Sequence, residues 1–134
     1  MSIAATSCSP RTSWPLAITV SGHPPGVNQR LHWQARRRLC RPFVDAIGWQ
    51  AKTFGLEKPL ERARVVVTFT HRSRRYMGDV DNLYGRAKPL VDALKGILIV
   101  DDSPTHLELD VRQELGKERL VRLQVWPARQ EPAT

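Results

Sequence analysis

The stretch GDVDNLYGRAKPLVDALKGILIVDD, Gly78 to Asp102, decides how the rest of the chain is read. At about 100° per residue, Leu83, Ala87, Leu90, Val91 and Leu94 fall on one stripe. That pattern predicts an amphipathic helix over most of Asn82 to Lys95, stopped by Gly96. Asp81 or Asn82 suits its N-cap. Lys88 and Asp92 each lie within roughly 20° of Asp81, on the side away from the stripe. Pro89 lacks an N–H and its ring crowds the carbonyl of Gly85, so a kink is expected there, or a helix that starts near Lys88. The run Ile97 to Val100 reads as a short buried strand. Carboxylates bracket the segment: Asp79 and Asp81 at its start, Asp101 and Asp102 at its end. Two carboxylates about 4 Å apart repel by roughly 4 kcal/mol at an effective dielectric of ~20, so a fold that gathers them needs a cation. The residues allow such a cluster without requiring it. Acids also favour a helix start, and Asp-Asp-Ser-Pro also makes a turn.

Outward from this segment, four more runs read as strands. LAITV (Leu16 to Val20) follows Pro15, and VVVTFTH (Val65 to His71) is rich in β-branched residues. HLELDVR (His106 to Arg112) and LVRLQVW (Leu120 to Trp126) alternate strictly, and Gly116 between them predicts an antiparallel hairpin. A first helix is expected from Pro42 to Phe54, with Phe43, Ile47, Ala51 and Phe54 at helical spacing, Pro42 in its first turn and Gly55 as its stop. The expected order is β-α-β-α-β-β-β. This is an α/β (α+β) domain: a single mixed β-sheet with two main helices packed against it. The domain is expected to span residues 15–127, with a flexible lead-in (1–14) and a flexible tail (128–134).

At 134 residues the chain has room for one hydrophobic core. No apolar run reaches the roughly 18 residues of a membrane span, and the first residues lack the basic start and apolar block of a secretion signal. Cys8 and Cys40 follow no ligand spacing and are too few for a disulfide scaffold, which suits a reducing cytoplasm. The four histidines make no pair at metal spacing, and Trp14, Trp49 and Trp126 read as core or interface aromatics. Charge is the first functional hint. Lys and Arg number 21 against 13 acids, a net +8, and the excess is clustered. Arg36, Arg37, Arg38 and Arg41 form one group; Arg72, Arg74 and Arg75 form another, just before Asp79. Guanidinium forks match phosphate oxygens, so nucleic acid is the natural partner. Candidate contacts are Arg72, Arg74 and Arg75, with Asn28, Arg30, Arg36, Arg37 and Arg38 as a second set. Tyr76 and Trp33 could stack on opened bases, although each is more often a packing residue.

Three motifs stand in order: Asp79-Val80-Asp81-Asn82-Leu83, then Lys88-Pro89-Leu90-Val91-Asp92-Ala93-Leu94, then Asp101-Asp102-Ser103. Together with the early Pro24-Pro25-Gly26-Val27-Asn28, they resemble the RusA family of Holliday-junction endonucleases, over roughly Leu16 to Trp126. The lysine stands about three residues further from Asn-Leu than in the family's founding member. Three residues are close to one helical turn, so the face is kept.

The resemblance implies a RusA-like fold, a homodimer, and paired nicking of four-way DNA junctions with Mg²⁺ or Mn²⁺. By residue match, Asp79, Asp81 and Asp102 would be the acidic metal ligands and Lys88 the essential lysine. Asp101 is a weaker candidate, and Asp92 is expected to pair with Lys88 at i+4. Carboxylate oxygens are the donors hard divalent cations prefer. Two other classes fit the same residues: a non-catalytic basic nucleic-acid binder whose aspartates are caps and turns, and a structural protein basic only for solubility. A nuclease of the same fold acting on other branched DNA is a further alternative.

Overall fold

A computed structural model of the chain describes residues 14–25, 33–77 and 80–128, apart from the side chains of Tyr76 and of residues 80–82. The elements are β1 (Leu16–Ser21), α1 (Trp33–Thr53), β2 (Ala63–His71), a 3-10 turn (Arg74–Tyr76), α2 (Val80–Asp92), β3 (Leu107–Leu115) and β4 (Leu120–Pro127). The four strands form one sheet in the spatial order β1-β4-β2-β3. β4 runs antiparallel to both β1 and β2, and β2 pairs in parallel with β3. This is a mixed-sheet α+β fold with two helices, as expected.

The core lies between one sheet face and the two helices. Alternation sets the inward set: Leu16 and Ile18 from β1; Ala63, Val65, Val67 and Phe69 from β2; Leu107 and Val111 from β3; and Val121, Leu123 and Val125 from β4. The stripe on α2 meets it, with Leu83, Ala87, Leu90 and Val91 all buried, and Leu94 buried just beyond the helix. From α1 come Ile47 and Ala51, with Phe43 and Phe54 partly buried against the same cluster. No helix among the described residues is long and apolar enough to cross a membrane.

Four expectations are corrected. First, HLELDVR and LVRLQVW do not form a hairpin, because β2 lies between them. From Val65 onward every residue of β2 is buried on both faces, as befits a central strand. The loop from Gly116 to Arg119 therefore steps over the end of β2. Gly116 N–H donates to the His71 carbonyl at 2.9 Å, and a Cβ on Gly116 would sit 2.5 Å from Thr70 Cγ2. The glycine is there for close passage.

Second, Ile97 to Val100 joins no sheet. Ile99 makes isolated bridges to Leu60 and Lys95, within a turn opened by Gly96 at φ +79°. Leu98 and Ile99 are nonetheless buried, while Ile97 is partly buried and Val100 is exposed. Third, α1 starts at Trp33, nine residues before Pro42, which lies inside the helix. Pro42 and Arg38 are both exposed, so water can reach the carbonyl that the proline deprives of its helical bond. Fourth, α2 starts at Val80 rather than near Lys88 and carries Pro89 inside it. Arg36 Nη2 donates to the stranded Gly85 carbonyl at 3.4 Å, supplying from α1 the bond that proline removes. At the end of the domain, Ala128, assigned to the tail by its sequence, is still tied in: its N–H donates to the Arg62 carbonyl at 2.9 Å.

Candidate functional site

α2 presents a charged edge beside its buried stripe. Lys88, Asp92 and Lys95 follow at i, i+4 and i+7, so one side of the segment carries all three. The turn at Gly96 then sends the chain back, and Asp101 and Asp102 arrive beside the two lysines. Lys88 Nζ donates to Asp102 Oδ2 at 3.1 Å. Lys95 Nζ lies 3.3 Å from Asp102 Oδ1, 3.9 Å from Asp101 and 3.7 Å from Asp92. Lys88 also lies 3.8 Å from Asp92, the expected i+4 pair.

Both oxygens of Asp102 are therefore held by ammonium groups. The hydrogen bond from Lys88 holds its carboxyl down at about 2; burial opposes it, and Lys95 adds to the lowering. Lys95 is shifted upward by the same contact, its hydrogen bond with Asp102. The edge is solvated: the Lys88 side chain is 67% exposed while that of Asp102 is only 23% exposed. Asp102 is thus the more buried member and Lys88 the more exposed one.

The structure brings Lys88 and Asp102 together. Asp81 lies in the first turn of α2, two turns before Lys88, but its side chain is outside the described residues, and Asp79 lies outside them entirely. Among the described residues, no three His, Cys, Asp or Glu side chains are grouped to hold one metal ion. Arg74 and Arg75 are exposed on the 3-10 turn, whose N-cap Ser73 accepts a bond from the Arg75 N–H at 3.4 Å. Arg37 and Arg38 are exposed on the first turns of α1, and the Arg37 guanidinium sits 6.0 Å from the Trp33 ring centre. Arg36 is partly buried and makes the Gly85 contact. Asn28 and Arg30 lie outside the described residues. Trp49 is not a core aromatic, being 69% exposed on α1, whereas Trp126 lies under the Arg64 guanidinium at 5.5 Å.

Sequence reasoning passed over Lys95, although its i+7 relation to Lys88 was a usable signal. It also passed over a second polar centre. His23 and His71, 48 positions apart, meet edge to face with ring centres 4.9 Å apart. His23 Nε2 lies 2.9 Å from both the Thr70 and the Leu120 carbonyl oxygens. Both partners are acceptors, so Nε2 carries the proton. Burial pushes His23 down to about 4 and lowers His71 as well.

In comparison with known proteins, no family model and no curated protein matches the chain.

Proposed function

We propose that this chain is a metal-dependent endonuclease of branched DNA, similar to the RusA resolvases, that nicks four-way junctions in matched pairs. The observation that carries the reading is the Lys88–Asp102 pair at 3.1 Å. It joins two of the three motif elements, 14 residues apart, on the α2 edge whose first turn holds Asp81. Two matched cuts by a chain with one site imply a homodimer. Cysteine use suits a reducing cytoplasm.

The donor set is compatible with a hard divalent ion. Asp102, with Asp101 beside it, offers carboxylate oxygens of the preferred kind, and Asp79 and Asp81 would complete the set. Bound there, Mg²⁺ or Mn²⁺ would make a water more acidic and offset charge building on the phosphate. The chain's own residues do the rest. Lys88 and Lys95 keep Asp102 ionised, and the exposed Lys88 ammonium can turn from Asp102 to a non-bridging phosphate oxygen. Arg74 and Arg75, leading into the acidic segment, would grip the neighbouring backbone.

An oligonucleotide four-way junction incubated with the protein and Mg²⁺ or Mn²⁺ tests the reading. Symmetric nicks are expected. Asp81→Asn and Asp102→Asn should abolish them while binding is kept or tightened, because a negative charge near phosphate is gone. A gel shift with no nick in either metal would return the chain to the non-catalytic binders. Nicks confined to flapped or three-way DNA would keep the chemistry and change the substrate.

A further inference from the structure

A cavity of about 460 Å³ opens where β1 and β2 end and β4 begins, lined by His23, His71, Arg72, Arg86 and Arg119. Three guanidinium groups line it, and among the described residues no carboxylate does. Its floor is the buried histidine pair, 8% and 3% exposed. Arg72 and Arg119 stand exposed at its mouth, and Arg86 reaches in half-buried from α2. The Gln113 side chain hydrogen-bonds the His71 ring, yet two buried donor-capable atoms of this lining, His71 Nε2 and Arg86 Nε, have no hydrogen-bond partner among the described residues. Buried polar atoms are rarely left so, and each costs on the order of 1–3 kcal/mol. The arrangement also sets like charges together: the Arg86 guanidinium is destabilised by burial first and by Arg119 second. A multivalent oxyanion would remove both defects at once.

A smaller cavity of about 230 Å³ shares His23, Arg86 and Arg119 and adds the apolar surface of Pro25, Leu39 and Phe43. The space beside the cationic cavity therefore suits the organic part of an ester. The cavity is separate from the acidic edge. On α2, Arg86 and Lys88 are two residues apart, about 160° around the helix, so they flank the buried stripe on opposite sides.

From this geometry we infer a phosphate-binding pocket, built by Arg72, Arg86 and Arg119 over the His23–His71 floor, that takes a phosphate ester of a nucleotide or of a nucleic-acid backbone. The proposal goes beyond the nuclease reading and survives its failure, since it needs neither metal nor cleavage.

The test uses the full chain without metal. Imidazole ¹⁵N resonances of His23 and His71 are followed as inorganic phosphate, a nucleoside monophosphate or a short single-stranded oligonucleotide is added, with sodium chloride at matched ionic strength as control. Saturable shifts of His71 are expected. At roughly 100 times Kd the thermal midpoint should rise by about 5–10 °C. Arg86→Gln and, separately, Arg119→Gln should weaken binding roughly ten- to a hundredfold, while Lys58→Gln, exposed elsewhere, leaves it unchanged. Saturation by inorganic phosphate or the monophosphate assigns the pocket to free phosphates. A response to the oligonucleotide alone assigns it to the backbone. No saturable shift with any of the three, or an equal shift with sodium chloride, overturns the proposal. Should Arg86→Gln fail to fold, the Arg119 variant and the wild-type titration still decide it.

Discussion

Asp102 and His23 are displaced from their ordinary titration for opposite reasons, and each sets its own window of pH-dependent stability. Asp102 is held down at about 2 by Lys88 first. Its contribution is complete above the ordinary carboxylate value and is lost as pH falls through 2. His23 is pushed to about 4 by burial. The unfolded chain takes up this proton near 6.5 and the folded chain only near 4, so stability is intact above pH 6.5 and falls between 6.5 and 4. The loss amounts to about 3 kcal/mol at most. Urea unfolding from pH 4 to 7 should show that slope, and His23→Gln should reduce it to the share left by His71, which burial also lowers. An equally steep slope in the variant would remove His23 as the cause. Lys88→Ala addresses the other site. Exposed ion pairs are worth about 0–1 kcal/mol, so its melting point should stay near wild type while nicking slows at least tenfold. Unchanged nicking would make Lys88 a surface ion-pair residue. Part of this was readable from residues alone: the Lys88–Asp92 spacing demanded their contact. The arrival of Asp102 at Lys88 was not, because it depends on the backbone path through Gly96. Nor did anything in two histidines 48 positions apart announce that they stack.

At the scale of elements, periodicity revealed membership and missed neighbourhood. The α2 stripe and the alternation of β4 were legible because burial on one face leaves a repeating mark. Strand order leaves no such mark. β3 and β4 alternate as a hairpin would, and only the uniform burial of β2 hinted that it would come between them. Proline misplaced the start of α1 and suggested a late start for α2; its cost is met by exposure at Pro42 and by Arg36 at Pro89. Two substitutions test these arrangements by denaturant unfolding. Gly116→Ala pushes a methyl against Thr70 Cγ2 at the crossing; a loss of about 1–3 kcal/mol is expected, and a neutral result would show that the loop has room to move. Arg36→Ala strips the Gly85 carbonyl of its donor and should cost about 1 kcal/mol. Equal stability would mean that water serves there instead.

For the molecule as a whole, the net charge of +8 and the spread of arginines over α1, the 3-10 turn and the β-strand ends predict strongly salt-dependent binding. With about six phosphates engaged, affinity for DNA should fall roughly a thousandfold between 50 and 200 mM salt. Fluorescence anisotropy at stepped salt reads that slope, and a flat line would remove nucleic acid as the partner. One architectural fact bears on how this protein comes into being. Among the described residues, β1 meets the rest of the sheet through β4 alone, Leu120–Pro127. It is the last of the described strands in chain order. Among those strands, both β1 and one border of β2 therefore find their partner only once β4 is made.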